Sequence, residues 1–231
     1  MSDFLAANIP SAIFVTGTDT DCGKTFVSCA LMRRLARGGL RVVGMKPVAS
    51  GSEMQDGKLI NPDVEALKQH SNVSLPDRTI NPYIFEPAVS PHFAAAQAGE
   101  QIHREKITAA FDKCRDAADI VIVEGAGGWR VPLGDKLDMS VLVKSLKLPV
   151  LLVSGLKLGT INHTLLSAES IVKDGVDLIA WAANLIDADY GNIEQTVEHL
   201  RVRIPAPLIA RFDRGNPTSA AELINLEQLY T

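Results

Sequence analysis

The chain has 231 residues, 46% hydrophobic and 22% charged, with a formal net charge of −4. A chain of this size buries roughly 70% of its unfolded surface, so it is expected to fold as one domain spanning 1–231 rather than stay disordered. The acidic balance argues against nucleic acid or an anionic membrane as partner, and three cysteines without a C-x-x-C pair suit a reducing cytoplasm rather than a disulfide frame or zinc site.

Residues 1–11 carry an early acidic residue, Asp3, and no basic region, and they read as a loose leader rather than a signal peptide. No stretch of 18 apolar residues is present to span a membrane. Ala12–Thr16 reads as a strand. Thr25–Arg37 reads as a helix with Val27, Leu31 and Leu35 on one face and Gly38-Gly39 as its stop. Arg41–Met45 is the next strand, and Pro62–His70 suits a helix. The stretch from Gly57 to Pro91 is rich in X-Pro steps, such as Asn61-Pro62, Asn81-Pro82 and Ser90-Pro91, and reads as an excursion over the sheet. Glu105–Ala118 is helical. Ile120–Val123, Val150–Ser154 and Leu178–Ala183 are apolar strands, and Pro207–Ile209 is a last short one. Apolar strands alternating with helices give an α/β fold: a mostly parallel sheet with helices on both faces, like that of P-loop NTPases. Ligands of such sheets sit at the carboxyl ends of the strands.

After the first strand comes Gly17-Thr18-Asp19-Thr20-Asp21-Cys22-Gly23-Lys24-Thr25. The common phosphate loop has four residues between its first glycine and Gly-Lys; here there are five. The strand before and the helix after fit that loop. Backbone N–H groups from Asp21 to Thr25 can turn toward phosphate oxygens, and the helix start adds a positive end. Lys24 supplies a full charge and Thr25 a hydroxyl for Mg²⁺. Cys22 lies at the same helix start, where its backbone rather than its sulfur is the useful part.

The strand Ile120–Val123 ends in Glu124, where P-loop proteins place a carboxylate for Mg²⁺, and Gly125-Ala126-Gly127-Gly128 lets backbone approach a ligand. Asp63 follows Asn61-Pro62 and on these residues alone reads as part of a helix cap. Lys46 ends the second strand, before Pro47-Val48-Ala49-Ser50-Gly51. It points to the ligand edge by position, although an exposed lysine is the commoner fate.

These pieces together resemble the dethiobiotin synthetase family. The matching segments are Phe14 to Thr20 with Gly23-Lys24-Thr25, Lys46 to Gly51, Val123 to Trp129, Gly155 to His163, Trp181 to Asn184, and Ile204 to Pro207, in order over nearly the whole chain. The longer phosphate loop is itself this family's form. The resemblance implies ring closure of 7,8-diaminononanoate with CO₂ or bicarbonate and MgATP, giving dethiobiotin, ADP and phosphate. It implies that Lys24 and Lys46 stabilise the carbamate and the moving phosphoryl group. Thr20 and Ser50 then bond the carbamate side, with Thr25, Asp63 and Glu124 around Mg²⁺. Nucleotide contacts are implied for Asp21, Cys22, Gly23, Lys24, Thr25, Phe26, Asp63, Glu124, Gly125, Ala126 and Gly127, with Asn184, Ile204, Pro205 and Ala206 framing the adenine. Gly159, Thr160, Ile161, Asn162 and His163 open a helix suited to the substrate carboxylate, reaching across a two-fold homodimer with shared active sites. The run Ile209-Ala210-Arg211-Phe212 departs from the family's usual glycine and proline.

A second expectation is a P-loop switch ATPase of the partitioning or positioning type. Many of those carry a lysine where this chain has Thr18, and often a basic terminal helix, whereas the segment from Ala220 to Thr231 has no basic residue. A cobyrinate-type amidating synthetase normally carries a further glutaminase domain, for which this length leaves no room.

Overall fold

The computed structural model describes residues 7–213 and 215–230. Six strands form one parallel sheet: β1 (Ala12–Gly17), β2 (Val42–Met45), β3 (Ile120–Glu124), β4 (Val150–Leu156), β5 (Leu178–Leu185) and β6 (Leu208–Phe212), in the order β6-β5-β4-β1-β3-β2. From β1 the chain winds to β2 and β3 on one side, then crosses to β4, β5 and β6 on the other. The winding reverses at β1, so the crevice of a doubly wound sheet lies where the phosphate loop leaves it.

The strands are buried on both faces, as parallel sheets require. Phe14, Val121, Val123, Leu152 and Trp181 face one core. Ile13, Val15, Ile120, Ile122, Leu151 and Val153 face the other, so burial alternates with the strand's period of two. Helix α1 (Lys24–Arg37) covers the second face through Val27, Leu31 and Leu35, the stripe predicted for it. Helix α2 (Pro62–His70) follows, then α3 (Pro91–Gln97) and α4 (Arg104–Ala117). Helix α4 covers the first face through Ile107, Phe111 and Cys114. Further along are α5 (Met139–Leu146), α6 (Thr160–Lys173) and α7 (Ile193–Arg201), with short helical turns at Pro217–Ala220, Ala221–Leu223 and Leu226–Leu229.

The excursion folds into small parts above the carboxyl edge. Glu53–Gln55 and Lys58–Ile60 form a hairpin, Val48–Ala49 pairs with Tyr83–Ile84, and Asp77–Ile80 is one helical turn. Asn61 caps α2, its side chain accepting from the N–H groups of Asp63 and Val64, with Pro62 opening the helix.

Most strands run further than the sequence pattern implied: β1 and β3 by one residue, to Gly17 and Glu124, and β5 by two, to Leu185. β4 continues past Ser154 to Leu156 because Gly155 permits a close backbone approach: a Cβ there would lie 2.9 Å from Cβ of Cys22. The last strand is Leu208–Phe212 rather than Pro207–Ile209. Within the added part the Arg211 charge is met by Glu194 and Asp213, while Ala210 and Phe212 are buried on the α1 face. The expected leader lies outside the described residues as far as residue 6, and Ile9 already belongs to the core. Among the described residues no helix is long and apolar enough to cross a membrane.

Candidate active site

The phosphate loop begins with Thr18 N–H donating to Val153 O at 3.0 Å. Asp21 at φ 59° and Gly23 at φ 94° then bend the chain into α1. Only glycine fits at 23, since a Cβ would stand 2.0 Å from Asn184 Nδ2. That Asn184 amide donates to Cys22 O at 3.1 Å, so the end of β5 braces the back of the loop. Cys22 is fully buried, consistent with a backbone role. The Lys24 ammonium rests on the Asp19 carbonyl at 2.9 Å.

Lys46 is not the exposed lysine that composition favours. It is 3% exposed, with its ammonium 2.6 Å from Glu124 Oε1 and 2.7 Å from Asp63 Oδ2. Burial pulls its pKa down, but Glu124 and then Asp63 outweigh this and hold it above the ordinary 10.5. Burial likewise pushes the Asp63 carboxyl up, while the Lys46 charge and hydrogen bond hold it below the ordinary 3.8. The Thr25 hydroxyl donates to the same Glu124 oxygen at 2.8 Å. The cap reading of the Asn61-Pro62-Asp63 segment holds, with Asn61 capping the helix, and the cap places Asp63 on Lys46.

These groups share a cleft of about 670 Å³. Thr20, Asp21, Gly23, Lys24, Thr25, Lys46, Ser50, Asp63, Ala126 and Gly127 line it. Glu124 closes it from below, fully buried, and Gly125 N–H is tied to Val15 O at 3.0 Å. The remaining expected residues lie outside this cleft. Phe26 packs edge-on against Phe212, ring centres 5.3 Å apart. Ile204 is buried, Pro205 is exposed and Ala206 is half-buried, before β6. In the segment that opens α6, Gly159, Asn162 and His163 are exposed and Ile161 is half-buried. Thr160 turns inward, its hydroxyl 3.0 Å from Ser154 Oγ.

Several residues that shape the site carry no motif. Asn81 donates to the carbonyls of Lys46 at 2.6 Å and Tyr83 at 2.8 Å, fixing the backbone that aims Lys46. Asn61 Nδ2 donates to Ser50 O and Ser52 Oγ, both at 3.3 Å. Ala88, Val89 and Pro91 form an apolar wall of the cleft with Val131, and Ser90 lies among them. In the sequence Asn81 showed only as a turn residue before proline, and Asn61 as part of a turn and helix cap.

The donor set suits a hard divalent cation. Glu124 Oε2 is buried without a partner, beside the Thr25 hydroxyl and the Asp63 carboxylate. The three cysteines are free and buried, and burial, with Glu124 and Asp63 adding to it, pushes the Cys29 thiol up to about 12.

A loop of this shape at the carboxyl edge of a parallel sheet is built for a nucleoside triphosphate, and by class the chain is a P-loop nucleotide-binding enzyme. A family model described as an AAA domain matches residues 11–221. The ATP-dependent dethiobiotin synthetase BioD of Aromatoleum aromaticum is 46% identical over 200 residues, 87% of this chain and 89% of that protein. The protein of the same name from Xylella fastidiosa is 47% identical over 197 residues, 85% and 87% of the two chains. That of Pseudomonas aeruginosa is 41% identical over 222 residues, 94% and 97%. The chain belongs to the ATP-dependent dethiobiotin synthetase family, which sets aside the switch-ATPase expectation.

Proposed function

We propose that the chain closes the ureido ring of dethiobiotin from 7,8-diaminononanoate, CO₂ and MgATP, as an ATP-dependent cyclo-ligase of biotin biosynthesis in the cytoplasm. The observation that carries the reading is the Lys46 ammonium, buried beside the phosphate loop and holding two carboxylates. Those bonds use two of its three N–H donors, leaving one for a ligand oxygen in the cleft.

One substrate amine attacks the carbon of CO₂ and loses a proton, giving a carbamate. A carbamate oxygen attacks the γ-phosphorus and ADP leaves. The second amine then attacks the carbonyl carbon of the mixed anhydride, and phosphate departs as the ring closes. No protein nucleophile is needed, and catalysis is positioning with charge stabilisation. Lys46 and Thr20 hold the carbamate oxygens, and Lys24 leaves the Asp19 carbonyl for the phosphates. Ser50 orients the diamine against the wall of Ala88 to Pro91. Thr25, Asp63 and Glu124 hold Mg²⁺, which neutralises phosphate charge when bound.

The opening turn of α6 takes the substrate carboxylate of the partner subunit's site in a homodimer. Exposed Gly159, Asn162 and His163, outside the cleft of their own chain, support that reading. The test is phosphate release from ATP. Release should require both diamine and bicarbonate, and equal release without the diamine would sink the reading.

A further inference from the structure

The rim of the cleft holds an ion pair to which the reaction above gives no role. Asp19 places Oδ2 on the ammonium of Lys157, while its Oδ1 accepts from the Thr18 hydroxyl at 3.1 Å. Its backbone carbonyl accepts the Lys24 ammonium at 2.9 Å. A single residue thus gathers a neighbouring hydroxyl, a cation from the turn after β4 and the phosphate-binding lysine.

Lys157 is the first residue after β4, and its carbonyl accepts from Thr160 N–H at 3.0 Å, closing the turn before α6. Beneath the pair the backbones of β4 and the loop already meet at Thr18 to Val153 and at Gly155 to Cys22. The side chains of Lys157 and Asp19 are 35% and 28% exposed, and a pair this open to water adds little to stability. Its value is in placement. The second half of the phosphate loop is anchored by buried Cys22, by Asn184 and by α1. In the first half Thr18 and Asp19 are half-buried and Thr20 is exposed; beyond the Thr18 N–H bond to Val153 O, Asp19 ties it by its side chain to Lys157, just after β4.

We propose that Asp19 and Lys157 form a positioning pair that sets the first half of the phosphate loop, so that Thr20 and Lys24 meet the reacting groups, without itself touching the nucleotide. The inference rests on the phosphoryl-transfer reading given above. Loss of the pair lets Thr20 and the Asp19 carbonyl shift, while the N–H groups of the second half still grip the phosphates. Turnover suffers and nucleotide affinity does not.

The test uses the full chain with Asp19→Asn, Lys157→Gln, the double variant and Lys157→Arg. Titration calorimetry with a non-hydrolysable ATP analogue, diamine-dependent phosphate release and thermal melting are read together. Each single variant is expected to lose about tenfold in kcat, because small misplacements near the reacting atoms are costly. Nucleotide Kd should stay within about threefold and the melting temperature within about 2 °C. The double variant should be no worse than either single, and Lys157→Arg should recover most of the rate. Losses that multiply in the double variant would overturn the pairing. So would nucleotide affinity lost in Lys157→Gln but kept in Asp19→Asn, since Lys157 would then act on the nucleotide directly. Wild-type turnover in all variants would also overturn it. Diamine-independent turnover in the unaltered protein would instead remove the reaction on which the inference rests.

Discussion

The Lys46 ammonium stands 2.6 Å from Glu124 Oε1, joining the carboxyl ends of neighbouring strands β2 and β3 below the phosphate loop. Both side chains are almost wholly out of water, at 4% and 0% exposure. Such a pair is costly to desolvate and more costly to halve. A partner left alone is a buried charge.

The first prediction follows from that asymmetry. Lys46→Met strands Glu124, so it should lower stability by about 3–5 kcal/mol in urea unfolding. Adding Glu124→Gln should return a large part of the loss. Equal stability of the single and double variants would mean that the pair is not coupled. Turnover of Lys46→Met should fall by at least about a hundredfold while affinity for an ATP analogue changes only a few-fold, because the proposed contact is to the transferring group.

A pH series isolates Asp63. Its folded-state pKa lies below 3.8, since Lys46 outweighs the effect of burial. Its contribution to stability is therefore fully present above the ordinary value and is lost as pH falls through the folded one. Lys46 has the opposite sign: raised above 10.5, it contributes below that value and loses its effect as pH rises through the folded pKa. Asp63→Asn should be less stable than the unaltered protein from about pH 5 to about pH 9, and the gap should close below about pH 4. A gap that persists undiminished at about pH 3 would contradict the assignment.

Glu124→Gln tests the cation. Neutralising this carboxylate leaves Lys46 on Asp63, so the chain should still fold. The Mg²⁺ concentration for half-maximal turnover should rise by about tenfold or more. An unchanged requirement would make Glu124 only a partner of Lys46 and Thr25.

Apolar strands alternating with helices made the parallel sheet legible, and Gly23-Lys24-Thr25 between a strand and a helix marked its phosphate loop despite the longer spacing from Gly17. Glu124 was legible because a carboxylate at the end of Ile120–Val123 has few other uses. Asp63 was ambiguous on its own residues because capping and ligation ask for the same short polar run, and only the fold brings it to Lys46. Asn81 and Asp19 were invisible as site residues. Their partners, the Lys46 carbonyl and the Lys157 ammonium, are 35 and 138 positions away, and one is backbone. The extra length of β6 includes Arg211, whose charge is satisfied by a residue distant in sequence, Glu194 on α7.

Subunit mixing tests the proposed homodimer and its proposed shared site. Lys46→Ala and Asn162→Glu homodimers should each be nearly inactive, the second because a negative charge meets the substrate carboxylate. After joint unfolding and refolding, roughly half of the dimers are mixed, and closed two-fold pairing leaves each with one intact site. About a quarter of the original activity should return. An inactive mixture that contains mixed dimers by size and mass would place the whole site within one chain.

The central claim is that a carbamate oxygen, rather than water, attacks the γ-phosphate. Turnover with ¹⁸O-labelled bicarbonate, stopped before the label exchanges with solvent, tests this directly through the mass of the released phosphate. The account predicts one ¹⁸O in each phosphate, carried over when the second amine displaces it from the carbonyl carbon. Phosphate free of label from bicarbonate, but labelled when the water is ¹⁸O, would contradict it.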